Sequence, residues 1–194
     1  MPSPLDINGT TADGYCTTTL GPFVSTSTML CGAASSDSAD SDTAEWHAFC
    51  FFNTSALPND SVVKKIEFGF RTTAVVGDAS GFRLRAYIAD NAIGTTLAKS
   101  DYGDVISAGE LIATFTTTVG AKSHTSTTQA VLDEVSLTAT TNIEFDAYFL
   151  GSPGSSGLIS TIATQENATS SYRPYLKVWY TSDIEDGILQ VMSF

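Results

Sequence analysis

The stretch Phe51 to Phe70, FFNTSALPNDSVVKKIEFGF, constrains the fold more than any other part of this chain. Ser-Ala-Leu-Pro-Asn-Asp carries turn chemistry, because proline presets φ and the Asn and Asp side chains fold back onto the backbone. From Val62 to Val75 the side chains alternate, with Ile66, Phe68 and Phe70 on one side and Lys65, Glu67, Gly69 and Arg71 on the other. A period of two sustained over that length is the signature of a half-buried strand with one wet face. About 120 residues later RPYLKVWYT, Arg173 to Thr181, reads as a second strand entered through a proline. The two phrases bracket an all-β domain.

The same periodicity recurs between them. Phe82, Leu84, Ala86 and Ile88 point inward from a strand whose other face carries Arg83, Arg85 and Tyr87. Ile143, Phe145, Ala147 and Phe149 do likewise. Tyr15 to Leu20, Phe23 to Cys31, Leu111 to Val119 and Leu158 to Thr164 are further candidates, and Gln129 to Leu137 is ambiguous between a strand and a short helix. Glu45 to Phe52 differs in kind. Trp46, Ala48, Cys50 and Phe52 form one face and His47, Phe49 and Phe51 the other, so both faces need cover. Asp90 to Gly109 reads as a long connection and Gly151 to Gly157 as a glycine- and serine-rich turn. Eight to ten strands without long helices fit an antiparallel jelly-roll β-sandwich over residues 15–181. Residues 1–14 read as an N-terminal arm and residues 182–194 as a C-terminal tail.

Composition narrows the function classes. A net charge of −12 sits on 194 residues, and no Lys or Arg precedes Lys64. Such a surface disfavours nucleic acid and anionic membranes as partners. The longest apolar runs are too short to span a bilayer. The N-terminus lacks the basic and apolar regions of a secretory signal, so assembly in a cytoplasm is expected. Ser and Thr supply about a quarter of the chain, more than in ordinary usage. Cys16, Cys31 and Cys50 stand in no ligand spacing. They read as three small buried side chains, with a Cys16–Cys31 bridge as the lesser alternative.

No nucleophile, zinc or phosphate-binding motif occurs, and His47 and His124 are far apart, so no catalytic residues are expected. Asp37, Asp40, Asp42 and Glu45 could hold a structural calcium ion through their carboxylate oxygens, though their spacing is not that of an EF-hand. The plainer reading is a solvated acidic loop. Trp46, Tyr175 and Trp179 could stack on sugar rings or fill a subunit contact. Tyr175, Lys177 and Trp179 share one face of their strand, opposite Leu176, Val178 and Tyr180. In the tail, Ile188, Leu189, Val191, Met192 and Phe194 follow Asp183, Glu185 and Asp186. An apolar end beyond a complete domain could dock on a neighbour or add a last strand to its own sheet.

The two bracketing phrases resemble the motifs "F-D-[TS]-S-x-I-P-x-x-A-x-[IV]-x-x-A-x-L-x-[LF]" and "RPxLxVxYT" of DNRLRE-type jelly-roll domains and of similar phage and archaeal virion-surface sandwiches. The resemblance covers roughly Trp46 to Thr181. It implies adhesion, wall or virion-surface roles and supplies no catalytic residues. The resulting expectation is a non-enzymatic structural protein of a tailed phage. It would be a head decoration or tail-associated subunit, homo-oligomeric and joined to other capsid or tail subunits. The alternatives are a carbohydrate-binding module for a host-surface glycan and a donor-strand filament subunit.

Overall fold

The computed structural model describes residues 4–10, 12–17, 22–24, 27–33, 45–150 and 157–182. Twelve strands among them are joined in one continuous antiparallel sheet. In chain order they are β1 (Leu5–Asn8), β2 (Gly14–Thr17), β3 (Phe23–Val24), β4 (Thr28–Ala33), β5 (Glu45–Asn53), β6 (Val62–Val76), β7 (Phe82–Asp90), β8 (Glu110–Thr116), β9 (Gly120–Ser126), β10 (Thr140–Phe149), β11 (Leu158–Ala163) and β12 (Tyr175–Thr181). Two short helices, α1 (Asp104–Ala108) and α2 (Gln129–Asp133), interrupt them. The all-β antiparallel expectation therefore holds, and the ambiguous Gln129–Leu137 stretch resolves as helix α2.

The sheet order is β1-β12-β6-β11-β4-β5-β10-β7-β8, with β2 on β5, β3 on β2 and β9 on β6. The fifteen-residue β6 organises one half. Its first part pairs with β12, from Tyr175↔Gly69 to Thr181↔Val62. Its last part pairs with β11 on the same edge. The opposite edge pairs with β9, from Ile66↔Ser126 to Thr72↔Gly120. The two bracketing phrases of the sequence are thus hydrogen-bonded neighbours. Between them the turn closes through Leu57 N–H to the Thr54 carbonyl at 3.0 Å and Ser61 N–H to the Pro58 carbonyl at 2.9 Å.

Curling of the sheet sets β6 across the core from β5, β10 and β8. Phe70 lies 4.7 Å from Phe145 and 5.0 Å from Phe115, and Phe68 lies 5.7 Å from Phe145 and 6.1 Å from Phe52, all measured between ring centroids. The edge-to-face geometry of three of these pairs suits the aromatic quadrupole. Register shifts at Thr161/Ile162, Trp179/Tyr180 and Ala86/Tyr87 mark bulges, which bend strands and steepen their twist. Gly32, at φ +141°, pairs with both β5 and β11 where the sheet turns over. A side chain there would begin 2.0 Å from the Leu158 carbonyl oxygen.

β5 is buried on both faces, as its sequence requires. Ala48, Cys50 and Phe52 join the central core. Phe49 and Phe51 join a second, smaller core with Cys16, Ala89, Leu97 and Val105. The cover for that outer face is the 91–109 connection with α1, a role its turn-rich sequence did not disclose. All three cysteines are buried and unbridged. Burial pushes the Cys16 thiol up to about 12, and Cys31 and Cys50 well above their ordinary value.

The segment expected as an N-terminal arm contributes a strand. Leu5–Asn8 forms β1 against β12, from Leu5↔Val178 to Asn8↔Tyr175. Behind it Asp13, fully buried, accepts the Phe51 N–H at 3.0 Å and the Gln165 N–H at 3.1 Å. One carboxylate therefore ties the start of the chain to β5 and to the turn before β12. Burial raises its pKa to about 7, against the two N–H groups that lower it, and the Glu166 charge adds to the rise. Both carboxylate oxygens of Glu166 are themselves buried without a hydrogen-bond partner. The folded chain thus holds a proton on Asp13 between about pH 4 and 7 that the unfolded chain releases. The stability from this site is complete below the unfolded pKa and is lost as pH rises through the folded one. Urea unfolding of the native chain should show stability falling between about pH 4 and pH 7, by about 1.4 kcal/mol for each pH unit at most. Asp13→Asn should flatten that slope. An unchanged slope in the variant would assign the dependence to another group.

Candidate binding face on β9, β6 and β12

The outward residues of β6 are Lys65, Glu67, Gly69 and Arg71, and register sets them beside Trp179, Lys177 and Tyr175 of β12. The inward partners Leu176 and Val178 are fully buried, whereas Tyr175, Lys177 and Trp179 are half-buried. The face is ordered by aromatic and cationic contacts. The Lys65 ammonium sits 3.6 Å from the Trp179 ring centroid, and the Arg71 guanidinium sits 4.1 Å from that of Tyr172. Tyr175 donates to Glu67 Oε1 at 2.7 Å, and the Lys177 ammonium lies 3.9 Å from the same oxygen. Burial, with Glu67 adding, pushes the Tyr175 hydroxyl up to about 12, so it stays a donor at physiological pH.

Gly69 explains how Tyr175 is seated. A Cβ at position 69 would fall 2.4 Å from two ring atoms of Tyr175 and 2.6 Å from its hydroxyl oxygen. The ring therefore lies down on the backbone of β6, over the one residue that leaves room for it. Beside it opens a cleft of about 120 Å³ lined by Lys122, Ser123, Ser171, Arg173 and Tyr175, among others.

The charge of this face inverts that of the chain. Lys65, Arg71 and Lys177 point outward from β6 and β12, with Lys64 on β6 and Arg173 just before β12, whereas Lys122 pairs with Phe70 and so belongs to the other side of the sheet. Two acids accompany them, Glu67 on β6 and Asp6, which pairs with Lys177 from β1. Net charge alone concealed this, because bases more than a hundred residues apart in sequence meet only when β6 and β12 pair.

Other sequence candidates fall elsewhere. Trp46 stands on β5, separated from β12 by β6, β11 and β4 in the sheet order. Asp37, Asp40 and Asp42 lie outside the described residues, as do Ile188, Leu189, Val191, Met192 and Phe194. Glu45 is described, and its Oε2 accepts the Tyr102 hydroxyl at 3.0 Å. Among the described residues no three His, Cys, Asp or Glu side chains gather as a metal-binding set.

Sequence reasoning missed a buried polar network under α1. His47 Nδ1 lies 2.5 Å from Glu144 Oε1, and its ring stacks on Tyr102 at 4.0 Å. Glu144 is fully buried and accepts the Gly103 N–H at 2.8 Å and the Ile106 N–H at 3.2 Å. Cys16, the register partner of His47, is held as a thiol by burial. A protonated, inaccessible thiol is a poor nucleophile, and the carboxylate spends its acceptors on the backbone of the covering segment. The arrangement pins α1 to the sheet. Asn142 does the same for the start of that segment, accepting the Ile93 N–H at 3.1 Å and donating to the Gly94 carbonyl at 3.0 Å.

Gly69→Val should displace the Tyr175 ring and lower stability by about 1–3 kcal/mol, the range for forced overpacking. Removing the ring first, in Tyr175→Ala, should relieve most of that loss. Additive losses in the double variant, read by thermal unfolding, would show that the two positions do not share a contact. No protein-family model and no curated protein matches this sequence, so what this face can bind follows from its own residues.

Proposed function

We propose that this chain is a non-enzymatic structural subunit of a tailed-phage virion, a jelly-roll sandwich on the head surface or in the tail that works through protein–protein interfaces. The observation that carries the interface part is the outer face of β9, β6 and β12. Tyr175, Trp179, Tyr172 and Arg71 are of the residue types that dominate binding energy at protein interfaces. Here they are held in place by Lys65, Glu67 and Gly69 rather than left free to move. Pre-ordering of that kind lowers the entropy lost on association. The jelly-roll and virion parts rest on the turn phrase from Phe51 to Phe70 and the closing strand from Arg173 to Thr181, which are neighbours in the sheet.

A second reading has one specific observation in its favour. An aromatic ring laid flat on a sheet, as Tyr175 is over Gly69, is the geometry that stacks on a sugar. Trp179 supports it less, since Lys65 already covers one of its faces.

The two readings part in one experiment. Trp179→Ala and Tyr175→Ala would be introduced together, and purified particles assayed by quantitative mass spectrometry for content of the chain. The virion-subunit reading expects at least a tenfold fall in incorporation, with the isolated variant still folded by circular dichroism. Normal incorporation with lost adsorption to host cells would replace it with the glycan reading.

A further inference from the structure

We infer that Asp13, Gln165 and Glu166, with the Phe51 carbonyl, form a buried calcium site that ties the start of the chain to β5 and to the turn after β11. The inference is independent of the assembly reading above. Its first ground is convergence. A Cβ added to Gly9 would lie 3.4 Å from Asp13 Oδ2, 3.4 Å from Gln165 Oε1 and 3.5 Å from the Phe51 carbonyl oxygen. Oxygens from three separate segments thus gather about one point, which Gly9 keeps free of a side chain. Glu166 is near enough for its charge to act on both Asp13 and Cys50.

The second ground is that these oxygens lack donors. Gln165 Oε1 and both carboxylate oxygens of Glu166 are closed to solvent and accept no hydrogen bond. The hydroxyl of Thr164, a fully buried residue at the start of the same turn, is likewise unpartnered. Each Asp13 oxygen accepts one backbone N–H, which leaves lone pairs to spare. Among the described residues neither carboxylate is paired with a Lys, Arg or His side chain. Two buried carboxylates without a counter-charge are costly, and a cation between them removes that cost.

The donor set selects the ion. Two carboxylates, an amide and a backbone carbonyl are all oxygen donors, which suit a hard cation rather than zinc or copper. The two carboxylates balance a double charge. Closure to solvent favours calcium over magnesium, which keeps several of its waters. It also disfavours a bridging water. Calcium lies about 2.3–2.6 Å from its oxygens, whereas a water hydrogen bond needs about 2.7–2.8 Å, so a space too small for water can still hold the ion. The rival arrangement turns the Gln165 amide so that its NH2 faces Asp13 and the Phe51 carbonyl, with a proton on one carboxylate. That arrangement takes up no ion.

Isothermal titration of calcium chloride into the full chain, stripped beforehand with a chelator, decides between the two. One calcium per chain is expected, with magnesium weaker by about tenfold or more. Calcium at about 100 times its dissociation constant should raise the melting temperature by about 5 °C or more over the stripped chain. Glu166→Gln and Asp13→Asn should each weaken binding by about tenfold or more. Gly9→Ala should weaken it too, because its methyl group would take up the point the oxygens share. That methyl meets them at ordinary contact distance, so the melting temperature of the stripped variant should stay in place, and Gly9→Ala serves where the acid variants unfold. Absence of calcium binding overturns the inference. So does binding that all three variants leave unchanged, which would put the ion elsewhere, as at Asp37, Asp40 and Asp42.

Discussion

The packing of Phe68 and Phe70 against Phe52, Phe115 and Phe145 is the interaction on which the other features depend. These rings bring β6 across the core from β5, β10 and β8, and so turn one continuous sheet into a closed interior. Truncating a fully buried Phe costs about 3–5 kcal/mol, a large fraction of the margin of an ordinary domain. Because side chains alternate, the same strand that sends Phe68 and Phe70 inward must send Glu67, Gly69 and Arg71 outward. The binding face is the obverse of the core, and neither can be shifted by one residue without inverting the other.

β6 is also paired along both edges over the residues that carry the face. Ile66 to Gly69 bond to β12 on one side and β9 on the other. A strand held on both edges has little freedom to flex, so the aromatic and cationic groups above it inherit a rigid base. The polar interior serves a comparable end at the other side of the molecule. Glu144, Asn142 and Asp13 each spend side-chain groups on backbone of irregular segments, and these ties attach the 91–109 cover, the start of the chain and the 164–167 turn. Backbone groups that no ladder can satisfy must find partners of this kind when buried.

Strands with apolar alternation were legible in the sequence because burial on one face writes a period of two. β6, β7, β10 and the inward half of β12 all follow the expected residues. β9 was not legible, since Gly120 to Ser126 reads GAKSHTS and is mostly exposed. Its evidence is the unpaired edge of β6, which only the fold reveals. β1 was hidden for a similar reason, being four residues at a sheet edge. The cover over Phe49 and Phe51 could be demanded from the double-sided burial of β5 but not located, because the 91–109 segment has no period. Of the candidate site, Tyr175, Lys177 and Trp179 were visible as one strand face. The convergence of Lys65 and Arg71 with Lys177 was not, since their sequence separations carry no hint of proximity.

That convergence bears on how an acidic chain associates with anything. A uniform charge of −12 would repel a second copy at every approach, whereas a chain with its bases gathered on one face presents a strong preference for one orientation. The segregation is structural in origin. Outward positions of β6 and β12 lie over a fully buried aromatic layer, where long Lys and Arg stems cover apolar surface while their charged heads reach water. Lys65 over Trp179 and Arg71 over Tyr172 do this directly. Acids on the same positions would lose those ring contacts, because a carboxylate is repelled by the face of an aromatic quadrupole. The aromatic residues of this face are therefore the same residues that hold Lys65 and Arg71 there.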